Sequence, residues 1–213
     1  MIEAVIFDFD GTIIDTETIW YQAYKDVLRK QYGIELPLEV FAKVIGTTDE
    51  VLFKFIEDQA STTINKQEIE SLVHECFLEK KSELELRPGV RERLQEAKDL
   101  DLKLGIASSS SRAWVEGYLN QFDLWSYFSV VKTKEDVVRV KPDPSLYRKA
   151  LQSLQVEPER ALAIEDSVNG SIAAIEAGMK CWVVPNPVTS FLRFHEKVTR
   201  FDSFLDFDFQ MFH

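Results

Sequence analysis

Cysteine is nearly missing from this 213-residue chain: Cys76 and Cys181 are the two present, far apart and without metal-ligand spacing. That excludes a disulfide-stapled scaffold and a thiolate metal site, and reads as two free buried thiols in a reducing compartment. Positive charge is also scarce, with 25 Lys and Arg against 36 Asp and Glu and a formal net charge of -11. Without a basic run, binding that neutralises a nucleic-acid backbone is excluded, although one lysine, a metal ion and backbone amides can still converge on a single phosphate. No long uncharged apolar stretch occurs, and no basic segment leads into an apolar run near the first residue, so neither a membrane span nor a secretory leader is expected. Repeats and low-complexity linkers are missing as well. What remains is a 45% apolar composition, ample for a sizeable core. The expectation is a soluble cytoplasmic protein, a monomer, with no nucleic-acid or membrane partner.

The most informative stretch is Ala4-Val5-Ile6-Phe7-Asp8-Phe9-Asp10-Gly11-Thr12. A short apolar run ended by a turn residue suits a strand buried on both faces, and in open parallel sheets ligands sit at the carboxyl ends of such strands. Asp8 and Asp10 fall at that end. Two carboxylates this close either cap a turn through Asx-type hydrogen bonds or hold a cation between them, for which hard oxygen ligands suit Mg²⁺. Gly11 lets the backbone turn sharply or approach a ligand.

After Asp15 the apolar spacing becomes helical, with Ile19/Trp20, Ala23/Tyr24 and Val27/Leu28 on one face and Gly33 as a stop. Pro37 can open a further helix that ends near Gly46. Thr47 with Glu50, and Asn65 with Glu68, resemble capping boxes ahead of two more. Residues 16–86 therefore read as an all-helical insert, and residues 1–15 with 87–213 as the rest of one α/β core. From Arg87 the rhythm alternates helix and strand, with strands at Leu102 to Ala107, near Phe128 to Val131, at Ala161 to Ile164 and at Cys181 to Val184. Such alternation implies right-handed crossovers and a three-layer, Rossmann-like parallel sheet. The tail from Asn186 to His213 alternates Phe and Asp and is read as a cover over the sheet edge and core.

Each strand of interest ends in polar residues. Ile106-Ala107 runs into Ser108-Ser109-Ser110-Ser111, whose hydroxyls and amides either cap the next helix or bind anionic oxygens. Lys141 stands just before Pro142-Asp143-Pro144, with Asp143 as an N-cap and Pro144 at the first helical position. Ala163-Ile164 ends in Glu165-Asp166-Ser167. Together these motifs put a nucleophile, hydroxyl donors, a cation and metal carboxylates at one sheet edge.

In this order the motifs Asp8-Phe9-Asp10-Gly11-Thr12, Ser108, Lys141 and Glu165-Asp166 resemble the haloacid dehalogenase-like phosphohydrolase superfamily, over the chain to about Pro187. The helical insert is similar to the cap of the branch that includes β-phosphoglucomutase and phosphoglycolate phosphatase. The resemblance implies Asp8 as the nucleophile of an aspartyl-phosphate mechanism and Asp10 as general acid and base. It also implies Mg²⁺ held by Asp8, the Asp10 backbone carbonyl and Asp166, with Glu165 as a water-mediated ligand or a support for Lys141. Lys141 and Ser108 would steady the phosphoryl oxygens, with Gly11, Thr12, Ser109 and Ser110 as further phosphate-binding positions. An acid at Asp10 argues against dehalogenation.

The cap would choose the substrate. The histidine and arginine that the mutases carry there match Trp20 and Asp49, and an acid in place of the arginine would repel a second phosphate. A phosphatase for a small, sugar-phosphate-like metabolite is therefore expected, with a phosphosugar mutase and a non-catalytic phosphometabolite-binding protein as alternatives. Trp20 either stacks on substrate or fills the cap core. Glu17 is read as a first-turn helix acid.

Overall fold

The computed structural model describes residues 1–60 and 63–212. Six parallel strands form one sheet among the described residues: β1 Ala4–Phe7, β2 Lys103–Ala107, β3 Val130–Lys132, β4 Ala161–Glu165, β5 Lys180–Val183 and β6 Val198–Arg200, in the order β3-β2-β1-β4-β5-β6. Chain order reverses direction at β1, so the crevice between β1 and β4 is the topological switch point where open α/β sheets place ligands. Register fixes what meets there. Phe7 pairs with Ile106 on one side and Ile164 on the other, so Asp8, Ser108 and Glu165 emerge at neighbouring strand ends.

The pleat divides each central strand between two apolar layers. Val5, Phe7, Leu104, Ile106, Leu162 and Ile164 face the layer that also holds helices α5 (Val90–Asp99) and α6 (Arg112–Gln121). Ala4, Ile6, Ala161, Ala163 and Val183 face α7 (Ser145–Leu154) and α8 (Val168–Glu176). The second face is lined with alanine, which lets α7 bring Leu146, Tyr147, Ala150 and Leu151 close to the sheet. Burying each large apolar side chain contributes roughly 1.5–3 kcal/mol.

Between β1 and α5 the chain is helical: α1 Thr16–Val27, α2 Leu38–Phe41, α3 Glu50–Gln59 and α4 Lys66–Lys80. Asp15 caps α1 by accepting from the Thr18 amide at 3.1 Å, and Asn65 caps α4 by accepting from the Glu68 amide at 3.4 Å. Helix α1 continues as a π-turn over Leu28–Tyr32 and stops at Gly33, whose φ is 66°. The segment joins the sheet at a narrow base where Ile14 bridges Leu86 and the Arg87 amide donates to the Ile13 carbonyl.

Three local expectations need correction. Thr47 and Glu50 form no capping box, because Asp49 is the residue at the start of α3 and its carboxylate turns to Lys66 at 2.8 Å. Pro144 sits one position earlier than expected, at the N-cap, while Asp143 still accepts from the Ser145 amide at 2.9 Å. The tail contributes a sixth strand, β6, which a three-residue pattern in an aromatic, acidic stretch does not announce. Beyond it Phe204, Phe207 and Phe209 are buried, with Phe207 and Phe209 against Trp182, so the tail does cover the core.

Candidate active site

Asp8, Lys141, Glu165 and Asp166 converge at the carboxyl ends of β1 and β4, all of them buried. Lys141 Nζ donates to Asp8 Oδ1 at 2.5 Å and to Glu165 Oε1 at 2.7 Å. Glu165 is held from every side. Its Oε1 also accepts from the Tyr147 hydroxyl at 2.6 Å, and its Oε2 accepts from the Ser167 hydroxyl at 3.2 Å and the Asp166 amide at 3.3 Å. Gly170 makes room for it, since a Cβ there would lie 2.0 Å from Glu165 Oε1.

The charges do not balance among these four. Three carboxylates surround one ammonium, and oxygens of Asp8, Glu165 and Asp166 lie within 4.8 Å of one another. Burial raises the Asp8 carboxyl to about 7, opposed by Lys141 and reinforced by Glu165. Asp166 is likewise pushed well up by burial, then by Asp8 and Glu165. Burial would lower Lys141, yet the charges of Asp8 and Glu165 prevail and hold it above the usual lysine range. Excess negative charge on hard oxygen atoms in a buried cluster suits a divalent cation such as Mg²⁺.

Asp166 is positioned by two donors, Asn186 Nδ2 at 2.7 Å and the Thr12 hydroxyl at 3.3 Å. Thr12 also donates to Asp8 at 3.1 Å. Gly11 has φ 76°, and a Cβ on it would sit 2.3 Å from Asp166 Oδ2. The Gly11 amide donates to Ile14 and its carbonyl accepts from Arg87 at 2.6 Å. Gly11 and Thr12 thus shape the turn and aim the carboxylates of Asp8 and Asp166.

Asp10 points elsewhere. Its carboxylate accepts from Thr16 Oγ1 at 2.9 Å, Trp114 Nε1 at 2.8 Å and Ser110 Oγ at 2.6 Å, which fills about three of its four acceptor positions. Asp8 and Asp10 face a cavity of about 120 Å³ lined also by Glu17, Val44, Gly46, Thr47 and Ser108 to Ser110. Ser108 accepts from the Ser110 amide at 3.0 Å, which leaves its own O–H to donate. Ser109 instead donates across the cavity to the Gly46 carbonyl at 2.9 Å. A larger cleft of about 770 Å³, lined by Asp15, Arg87, Pro187 and Arg200, lies behind the base of the helical segment and contains neither Asp8 nor Lys141.

Glu17 is both a first-turn acid and a cavity wall. Burial, and then the charges of Asp10 and Asp8, raise its carboxyl well above the ordinary value. Trp20 is absent from that wall. It stacks on Phe77 at 4.0 Å and 18°, with His74 at 6.2 Å and Trp114 at 5.9 Å, the packing that its cap-core reading calls for. Sequence reasoning missed Asn186, Tyr147 and Trp114. Asn186 stands between two prolines just past β5 and was open to the strand-end rule, whereas Tyr147 and Trp114 lie on helix faces that read as core.

Residues 5–184 match the haloacid dehalogenase-like hydrolase family. YhcW of Bacillus subtilis (strain 168) is 46% identical over 209 residues, spanning 98% of this chain and 94% of that protein. The phosphorylated carbohydrates phosphatase of Thermotoga maritima is 34% identical over 179 residues, 84% of this chain and 82% of that one. CbbY from Rhodobacter sphaeroides, solved in complex with phosphate, superposes with a TM-score of 0.78 at 32% identity, covering 96% of this chain and 95% of that chain. The same protein has also been solved, as a mutant, with xylulose-(1,5)bisphosphate.

Proposed function

The chain belongs to the haloacid dehalogenase-like hydrolase family, and from that premise we propose that it is a Mg²⁺-dependent phosphomonoesterase working through an aspartyl-phosphate on Asp8. That it is a hydrolase of the phosphatase kind follows from its relatives; the metal, the intermediate and the residue roles are the proposal. The observation that carries it is the pairing of Asp8 Oδ1 with buried Lys141 while Asp8 also borders the cavity. A carboxylate so held is aimed and kept from rotating, as in-line attack requires.

Asp8 attacks phosphorus, and Asp10 protonates the departing ester oxygen and then takes the proton of the attacking water. Lys141 stays charged throughout and offsets the phosphoryl charge, with the Ser108 hydroxyl donating to a phosphoryl oxygen. Asp8, Asp166 and the Asp10 backbone carbonyl would hold Mg²⁺, which when bound supplies neutralising charge between the carboxylate and the phosphate dianion. Glu165 spends its oxygens on Lys141, Tyr147 and Ser167, which suits a support for Lys141 better than a direct ligand.

We assign residues 16–86 as a cap on a core of residues 1–15 and 87–213. The cavity of about 120 Å³ is well below the ~300 Å³ of small ligand pockets, so a whole sugar phosphate enters only if the cap swings about its base near Asp15 and Arg87. Glu17, Gly46 and Thr47 offer the wall contacts that suit a hydroxyl-rich leaving group. The phosphorylated carbohydrates phosphatase of Thermotoga maritima supports that class. The mutase alternative is disfavoured at Asp49, a carboxylate already paired with Lys66, where a second phosphate would need a free cation.

Phosphate release from p-nitrophenyl phosphate, measured with and without Mg²⁺, tests the reading. Activity is expected to vanish with chelator and with Asp8→Asn, and a panel of sugar and polyol phosphates should release free phosphate. Turnover that survives Asp8→Asn, or conversion of β-glucose 1-phosphate to glucose 6-phosphate without phosphate release, would overturn it.

A further inference from the structure

We infer that Trp114 is a positioning residue for Asp10, and that its ring is held for this purpose by Trp20 and Phe77 of the helical segment. The inference rests on the reading of Asp10 as the acid and base. A carboxylate offers about four acceptor positions, and three on Asp10 are filled by Thr16, Ser110 and Trp114. About one is left for a leaving oxygen or a water.

The three donors are not equivalent. Thr16 and Ser110 donate through hydroxyls that rotate about a single bond. The indole N–H of Trp114 has no such freedom, because its direction is the direction of the ring. That ring is clamped by Tyr118 at 5.0 Å, Phe77 at 5.4 Å and Trp20 at 5.9 Å. Phe77 and Trp20 stack on each other at 4.0 Å and belong to α4 and α1, whereas Trp114 and Tyr118 belong to α6. A rigid donor held between two parts of the chain therefore sets the angle of the Asp10 carboxylate, and so the lone pair that meets substrate. Losing it lets the carboxylate turn, which costs rate chiefly where a proton must be delivered to a poor leaving group.

Trp114→Phe keeps an aromatic ring and removes the N–H. In the full-length protein with Mg²⁺, its kcat/KM, which reports phosphoryl transfer to Asp8 and not the hydrolysis step shared by all esters, is expected to fall about tenfold or more on glycerol 3-phosphate and by about threefold or less on p-nitrophenyl phosphate, whose leaving group needs little protonation. Equal losses on the two esters, or no loss on either, would overturn the inference and leave Trp114 as packing alone. Trp20→Leu loosens the clamp but spares the N–H, and should show the same selectivity in smaller measure; it carries the test if Trp114→Phe does not fold, and equal or no losses there overturn the inference too. Asp10→Asn separates the two readings. A loss of about 100-fold or more on glycerol 3-phosphate keeps Asp10 as the acid and base, so a non-selective Trp114→Phe then sinks only the present inference; near-wild-type turnover of Asp10→Asn would remove both.

Discussion

At the sheet edge, each charged side chain is gripped by other side chains: Lys141 by two carboxylates, Glu165 by a lysine, a tyrosine and a serine, and Asp166 by Asn186 and Thr12. Across the cavity the loop at Lys43 to Gly46 meets the core through its own backbone. Ser109 donates to the Gly46 carbonyl, and Asn169 donates to the carbonyls of Ile45 at 2.9 Å and Lys43 at 3.3 Å. A Cβ on Gly46 would lie 2.7 Å from the Ser167 hydroxyl, so the loop sits as near the core as a glycine allows. The difference separates two tasks. Side-chain networks in a buried, low-dielectric site preserve one geometry, whereas a few hydrogen bonds to main-chain carbonyls tolerate changes in the side chains around them.

The sharpest way to break this contrast is to remove the cation from the edge. Lys141→Met should lower kcat by about a thousandfold and, by leaving Glu165 and Asp8 unpaired, destabilise the fold by about 3–5 kcal/mol; denaturant melts and steady-state kinetics check both. A substitution that changes no charge should come next. Gly170→Ala drives a methyl into Glu165 and is expected to cost about 3 kcal/mol, read as a lower denaturation midpoint together with weakened phosphate release.

A third effect uses pH. Asp8 is raised from 3.8 to about 7 by burial, against the pull of Lys141. The folded protein therefore keeps a proton that the unfolded chain has lost, and stability falls as pH rises. That contribution is complete below about pH 4 and gone above about pH 7. In chelator, the melting temperature should drop by several degrees between pH 5 and 8, and Mg²⁺ or Asp8→Asn should reduce the slope, Asp166 and Glu17, raised in the same direction, keeping the rest. A melting temperature that rises over this range in chelator would refute the assignment.

The mildest change belongs to the other region. Asn169→Ala removes two donors from the closing contact but touches no part of the charged cluster, so KM should rise about two- to threefold while kcat changes less. A loss as large as that of Lys141→Met would mean that the segment takes part in the chemistry and erase the distinction between the two regions.

Much of this was legible in one dimension. Apolar runs that stop at polar residues mark strand ends, and parallel sheets gather strand ends at one edge, so Asp8, Ser108 and Glu165-Asp166 were readable as a group, whereas Lys141 reaches them from the turn before α7. Helical spacing likewise marked the segment between β1 and β2. These are local signals, carried by a few neighbouring residues.

Partners in a hydrogen bond are not local. Asn186 reaches Asp166 from beyond β5, Trp114 reaches Asp10 from 104 residues away, and Asp49 spends its charge on Lys66. Nothing in the residues near Thr12 says that its hydroxyl faces carboxylates, nor near Trp20 that it stacks on Phe77. The amino-acid order by itself determined five of the six strands, the edge where their polar ends gather and the types of group found there, because period and strand termini are written in consecutive residues. Only the tertiary structure decided which donor meets which acceptor and which ring faces the cavity, because those depend on directions and distances set when distant segments pack.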